Sequence, residues 1–164
     1  MFVPFHELPP SARIWIYQAS RPLTEAELAA VQPALRQFSE AWTSHGRELR
    51  ASAEFRHRQF LVIGLDEAVA DASGCSIDSS VRFVRELEAA LGLQLLAKEQ
   101  LAFLGPEGQV QLFNRRDLKQ AVADGALQPN SLYFDNTISQ RGALEAGWPA
   151  PASATWLARY FGAA

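Results

Sequence analysis

Apolar side chains recur along this chain with two different periods, and the switches between them mark out the elements. From Arg13 to Tyr17, Ile14 and Ile16 fall on one side of an extended backbone and Trp15 and Tyr17 on the other. Apolar groups on both faces predict an interior strand. Thr24 and Glu27 stand at capping-box spacing, which starts a helix. Leu28, Val31, Leu35, Phe38 and Trp42 then recur at alternating steps of three and four as one helical stripe. Pro33 is expected to kink or split that helix, and Gly46 to stop it. Leu49 to His57 alternates: Leu49, Ala51, Ala53 and Phe55 face one way, and Arg50, Ser52, Glu54, Arg56 and Arg58 the other. That pattern predicts a strand buried on one side and solvated on the other. The nearly continuous apolar run Phe60 to Leu65 fits a central strand. A polar loop, Asp66 to Ser73, leads into a helix with Ile77, Val81, Val84, Leu87 and Leu91 on one face and Gly92 as its stop.

With Leu101 to Leu104 as a further strand, the order is βαββαβ, the split βαβ arrangement of ferredoxin-like α+β sandwiches. Its first and third strands are central, and here those two have apolar groups on both faces. The expected division is a core over residues 1–104 and an extension over 105–164, packed on that core as one compact unit. In the extension, Gly105-Pro106-Glu107-Gly108 forms a turn and Gln109 to Phe113 returns as a hairpin strand. Asn114 caps a short helix through Ala123, stopped near Gly125, and Ser131 to Phe134 makes one more strand. Pro149-Ala150-Pro151 breaks the chain before a terminal helix from Ala154 to Phe161. Trp148, Trp156, Tyr160 and Phe161 give this tail an aromatic face for docking.

Composition narrows the classes of function. Of 164 residues, 48% are hydrophobic and 20% charged, enough apolar material for a real core. The net charge of -3 argues against a general nucleic-acid binder, which would be basic. The first residues lack a basic stretch followed by an apolar run, so no signal peptide is expected. No run is long and apolar enough for a membrane span. Cys75 is the only cysteine. An internal disulfide and a zinc site of four cysteines, or of two cysteines and two histidines, are therefore ruled out. A reducing cytoplasm is the expected compartment. No cofactor is expected.

Candidate chemistry gathers at Ser73-Gly74-Cys75-Ser76-Ile77-Asp78-Ser79-Ser80, which opens the second long helix. Gly74 permits a sharp turn, and Ser73, Ser76 or Asp78 can serve as N-cap. Free N–H groups and the helix dipole favour an anion there. Ser73, Gly74, Ser76, Asp78, Ser79 and Ser80 are thus the candidate ligand-binding residues. The alternative is a well-capped structural turn. Cys75 near a helix start is a candidate nucleophile. His45 and His57 are the candidate bases, set against a plain buried cysteine and a histidine resting on a helix end. Asp66, Glu67, Asp71 and Asp78 are a further cluster of oxygen ligands, but they fit no EF-hand spacing. Arg47, Arg50, Arg56 and Arg58 form a basic face that could meet phosphates or an acidic partner. It lacks the exposed aromatics of an RNA-recognition sheet. No complete catalytic set emerges. The leading expectation is a non-enzymatic binding or protein-interaction module. An open sheet face in a small split-βαβ domain would suit a homodimer.

Four strings together resemble one family: Phe5-His6-Glu7-Leu8-Pro9, Ala12 to Gln18, Trp42-Thr43-Ser44-His45-Gly46, and Ser73 to Val81. They are similar to short bacterial proteins commonly labelled "ABC transporter ATPase". That resemblance runs over most of the chain and implies nucleotide binding as an alternative function, without assigning a role to any residue. An ABC ATPase domain needs a G-x-x-x-x-G-K-[ST] loop, and the chain contains none.

Overall fold

The computed structural model describes residues 1–162. They divide into two units, residues 1–96 with 136–145, and residues 97–135 with 146–162.

In the first unit the elements are β1 (Arg13–Gln18), α1 (Glu25–Ala41), β2 (Thr43–Ser44), β3 (Arg47–Glu48), β4 (Ala51–Arg56), β5 (Phe60–Leu65) and α2 (Gly74–Leu91). The capping box at Thr24 and Glu27 starts α1 as predicted. The helix runs unbroken through Pro33. Pro33 and Ala29, whose carbonyl loses its helical donor there, are both exposed, so water can replace the missing N–H. The helix does not reach Gly46, because Trp42 is already its C-cap. His45 and Gly46, both with positive φ (50° and 76°), form the two-residue loop of a β2–β3 hairpin. That is the backbone twist a two-residue hairpin requires, and Gly46 meets it without steric cost.

Strands pair antiparallel in the order β1-β5-β4. This is the order of the first three strands in the split βαβ arrangement. The fourth, expected at Leu101–Leu104, joins a separate sheet, which leaves β5 central and β1 at an edge. Leu61, Ile63 and Leu65 of β5 pack with Ala51 and Ala53 of β4 under Val31 and Leu35 of α1 and Val84 and Leu87 of α2. The opposite face is covered too. A Cβ on Gly64 would lie 2.6 Å from Leu8 Cδ1 and 3.1 Å from the Phe5 ring. The 3-10 turn Phe5–Glu7 and Leu8 therefore lie over the face that was expected to be open. Both sheet edges are also occupied. Val3 N–H donates to Ala51 O beside β4, and Ile14 N–H donates to Ser139 O beside β1.

The outward side of β4 is not a solvated basic face. Arg56 bonds Glu54 and Glu145 and lies over the Phe5 ring, and Arg50 bonds Asp66. Arg58 sits in the turn after β4, where it donates to Leu23 O and pairs with Glu25. Arg47 is exposed on β3.

The second unit holds β6 (Gln100–Leu104), β7 (Val110–Asn114), α3 (Leu118–Ala123), β8 (Leu132–Tyr133) and β9 (Ala150–Pro151), with sheet order β7-β6-β8-β9. Its boundary precedes the expected one at residue 104, because β6 pairs with β7 and β8. The β6–β7 hairpin follows the sequence prediction. The helix expected from Asn114 starts instead as a 3-10 turn, Arg115–Asp117, and becomes α3 at Leu118; the Asn114 side chain makes no cap bond. Between β8 and β9 the chain returns to the first unit and makes an unpredicted helix, α4 (Arg141–Gly147). The terminal segment Trp156–Phe161 is a 3-10 helix rather than an α-helix. Its Trp156, Tyr160 and Phe161 pack on Leu101, Phe103 and Tyr133. Trp156 Nε1 donates to the Tyr133 hydroxyl. Burial pushes Tyr133 up to about 12, against the lowering effect of that bond. Among the described residues no helix is long and apolar enough to cross a membrane.

Candidate functional site

A groove of about 790 Å³ runs between the C-terminal half of α1 and residues 75–86 of α2, and the β2–β3 hairpin borders it. Its aromatic lining comes from Phe38, Trp42 and Phe83. Phe38 and Phe83 stack face to face, with centroids 4.3 Å apart and planes within 3°. Trp42 stands 5.1 Å from Phe38, tilted against it. The indole N–H of Trp42 is already used, donating to Ser76 O at 2.8 Å. Trp42 therefore ties the end of α1 to the start of α2 and presents only apolar surface.

Of the three N-cap candidates, Ser73 is the cap, and Ser76 takes the reciprocal position three residues on. Ser73 Oγ accepts from Ser76 N–H, and Ser76 Oγ accepts from Ser73 N–H. The remaining hydroxyls turn inward as well. Ser76 Oγ donates to Ser73 O, Ser79 Oγ to Ser76 O and Ser80 Oγ to Ile77 O. Back-bonding of this kind satisfies serines inside a helix without any ligand. It also lets Ser76 and Ser80 lie buried. Gly74 is the first helical residue and has no left-handed backbone, so the expected sharp turn is absent. Asp78 is exposed on the helix.

Cys75 is exposed at the second position of α2. It shares the groove with His45, carried in by the hairpin loop. His57 is not brought to them. It lies in the turn between β4 and β5, edge-on to Phe60, and partial burial with the charge of Arg56 holds it below the ordinary histidine value. Asp66 is likewise committed elsewhere: it accepts from Arg50 at 2.8 Å and from Ala68 N–H. Glu67 pairs with Arg13. Among the described residues, no group of three His, Cys, Asp or Glu side chains could hold a metal ion.

Sequence reasoning missed Gln37, Phe38, Phe83, Arg82 and Glu86 as lining residues. A signal existed. Cys75, Ser79, Arg82 and Glu86 recur at steps of four, three and four, a stripe running beside the buried face of α2. The arrangement can hold a small molecule against an aromatic floor with polar groups at its rim, and it presents one thiol to whatever enters. Compared with protein-family models, curated proteins and solved structures, the chain matches none.

Proposed function

We propose that this chain is a non-enzymatic binding module and that its contact site is the groove between α1 and the start of α2. The observation that carries this reading is the stacked Phe38–Phe83 pair lining a groove of about 790 Å³, beside Gln37, His45, Cys75, Arg82 and Glu86 side chains without partners among the described residues. Sites for small molecules commonly enclose roughly 300–1,000 Å³, mostly apolar with a few polar groups. The Ser73–Ser80 segment then acts as a wall of the site through its backbone and Cys75, since its hydroxyls are engaged within the helix. We read the first unit as a three-stranded variant of the ferredoxin-like arrangement, and a reducing cytoplasm as the home of its single thiol. The test is amide chemical-shift mapping with mixtures of aromatic acids, amines and neutral ring compounds at millimolar concentration. Shifts around Gln37, Cys75 and Arg82 are expected. Hits that map elsewhere, or no hits, overturn the reading.

A second reading is favoured by one observation: exposed Cys75 and His45 line the same groove. Cys75 would then be a reactive thiol or redox switch, with His45, the one of the two candidate histidines that lines the groove, as its base. Alkylation rate against pH decides it. An inflection at the unperturbed thiol value of about 8.5, unchanged in His45→Gln, removes this reading. Nucleotide binding, which the family resemblance implies, is tested by calorimetry with millimolar ATP, and no heat of binding eliminates it. Sedimentation tests self-association: monomer alone at high concentration ends the dimer proposal.

A further inference from the structure

Resting on the binding-module reading, we propose that the groove takes a planar aromatic monoanion, its ring against Phe38 and Phe83 and its acid group at Arg82. Three observations narrow the occupant to this class.

The first is size. A groove of about 790 Å³ lies inside the roughly 300–1,000 Å³ range of small-molecule sites and is ample for one or two fused rings.

The second is the lining. Ser73, Ser76 and Ser79 bond within α2, and the Trp42 indole N–H is spent on Ser76 O. The side chains of the lining residues Gln37, His45, Cys75, Arg82 and Glu86 make no hydrogen bond or ion pair among the described residues. An aromatic floor meeting few free polar groups favours a flat, largely apolar ligand with one polar end.

The third is charge. Arg82 is an exposed guanidinium without a carboxylate partner among the described residues, next in sequence to the stacked Phe83. Glu86, the one carboxylate among the lining residues, stands at i+4 from Arg82 on the same stripe of α2, where side chains are helical neighbours. One acid group on a ligand can pair with Arg82; a second would meet Glu86 beside it, which favours a single negative charge.

The experiment compares naphthalene-2-sulfonate, neutral 2-naphthol and methanesulfonate on the full chain by amide chemical-shift titration. The sulfonate is expected to bind about fivefold more tightly than 2-naphthol, the scale of one exposed charge pair. Methanesulfonate should bind more weakly than either ring compound. Arg82→Gln, at an exposed position, should abolish the difference between sulfonate and naphthol. Phe83→Ala, checked for a native amide spectrum, should weaken both ring compounds. Equal affinities for sulfonate and naphthol, or a preference that survives Arg82→Gln, overturn the charge assignment while the groove reading stands. Methanesulfonate binding as tightly as the aromatic sulfonate overturns the aromatic part. If no compound shifts the groove amides, both this proposal and the binding-module reading fall.

Discussion

Substituting Gly64 tests how closely the chain's first residues seal the central sheet. A Cβ there would lie 2.6 Å from Leu8 Cδ1 and 3.1 Å from the Phe5 ring, and neither residue has room to withdraw, since both are buried. Gly64→Ala is overpacking, which costs about 1–3 kcal/mol. Leu8→Ala opens a cavity and costs about 2–5 kcal/mol. Their combination is the informative case. The new methyl occupies space that the Leu8 side chain vacated, so the double variant should be more stable than the sum of the single effects by at least about 1 kcal/mol. Independent sites add to within about 0.5 kcal/mol. Urea unfolding followed through the amide signals of β5 reports this unit alone. With a slope near 2 kcal/mol per molar, a change of about 2 kcal/mol moves the midpoint by roughly 1 M. Strict additivity, or a Gly64→Ala midpoint equal to that of the parent chain, refutes the account of this face.

Other predictions concern the site and its frame. Trp42→Phe should cost about 0.5–1.5 kcal/mol in urea unfolding, because Ser76 O keeps the Ser79 hydroxyl when the indole N–H is removed. His45→Asn should raise stability by roughly 0.5–1 kcal/mol, since asparagine tolerates the left-handed backbone of the hairpin loop better; a lower midpoint contradicts that turn geometry. Glu27 is held at about 2, chiefly by the Arg21 guanidinium and then by the Thr24 N–H. Its contribution is therefore present above the ordinary value of 4.5 and is lost as pH falls from 4.5 toward 2. Arg21→Ala should move the Glu27 carbon-detected titration midpoint upward; an unchanged midpoint refutes the pairing. Ultraviolet titration should find the Tyr133 phenol ionising well above 10, and a Tyr133→Phe variant should lose one late-ionising phenol while keeping that of Tyr17, which burial also raises.

Local structure was legible wherever one period dominated a segment. Thr24 and Glu27 announced α1, the apolar run 60–65 announced β5, and Gly105 to Gly108 announced the β6–β7 turn. Errors arose where a contact distant in sequence decided the outcome. The buried face of α2 passes through Ser76 and Ser80, which no apolar template selects, because hydroxyls bonded to helix carbonyls are as compatible with burial as a small apolar side chain. Arg50 and Arg56 look solvated because Asp66 and Glu145 meet them only through the fold, although Glu54, two residues from Arg56, is a neighbour the strand pattern already offers. The start of α2 stands out in the sequence, but the groove beside it does not. Its other wall belongs to α1, and pairing two helices across a sheet is information that a sequence period does not carry.

The route of the chain through the first unit also bears on its birth. Ser139 supplies the acceptor for Ile14 N–H at the outer edge of β1, yet it is made only after the whole stretch that begins the second unit. At roughly 5–20 residues per second, a ribosome needs about two to nine seconds between Leu96 and Ser139. Through that interval a nascent sheet would carry one bare edge, the kind of surface through which chains join one another. The opposite edge is occupied by residues that precede β1 in the chain, Val3 pairing with Ala51. Aggregation during synthesis should therefore depend on the speed at which the ribosome crosses the intervening stretch, and slow codons placed there should lower the soluble yield while leaving the finished molecule unaltered.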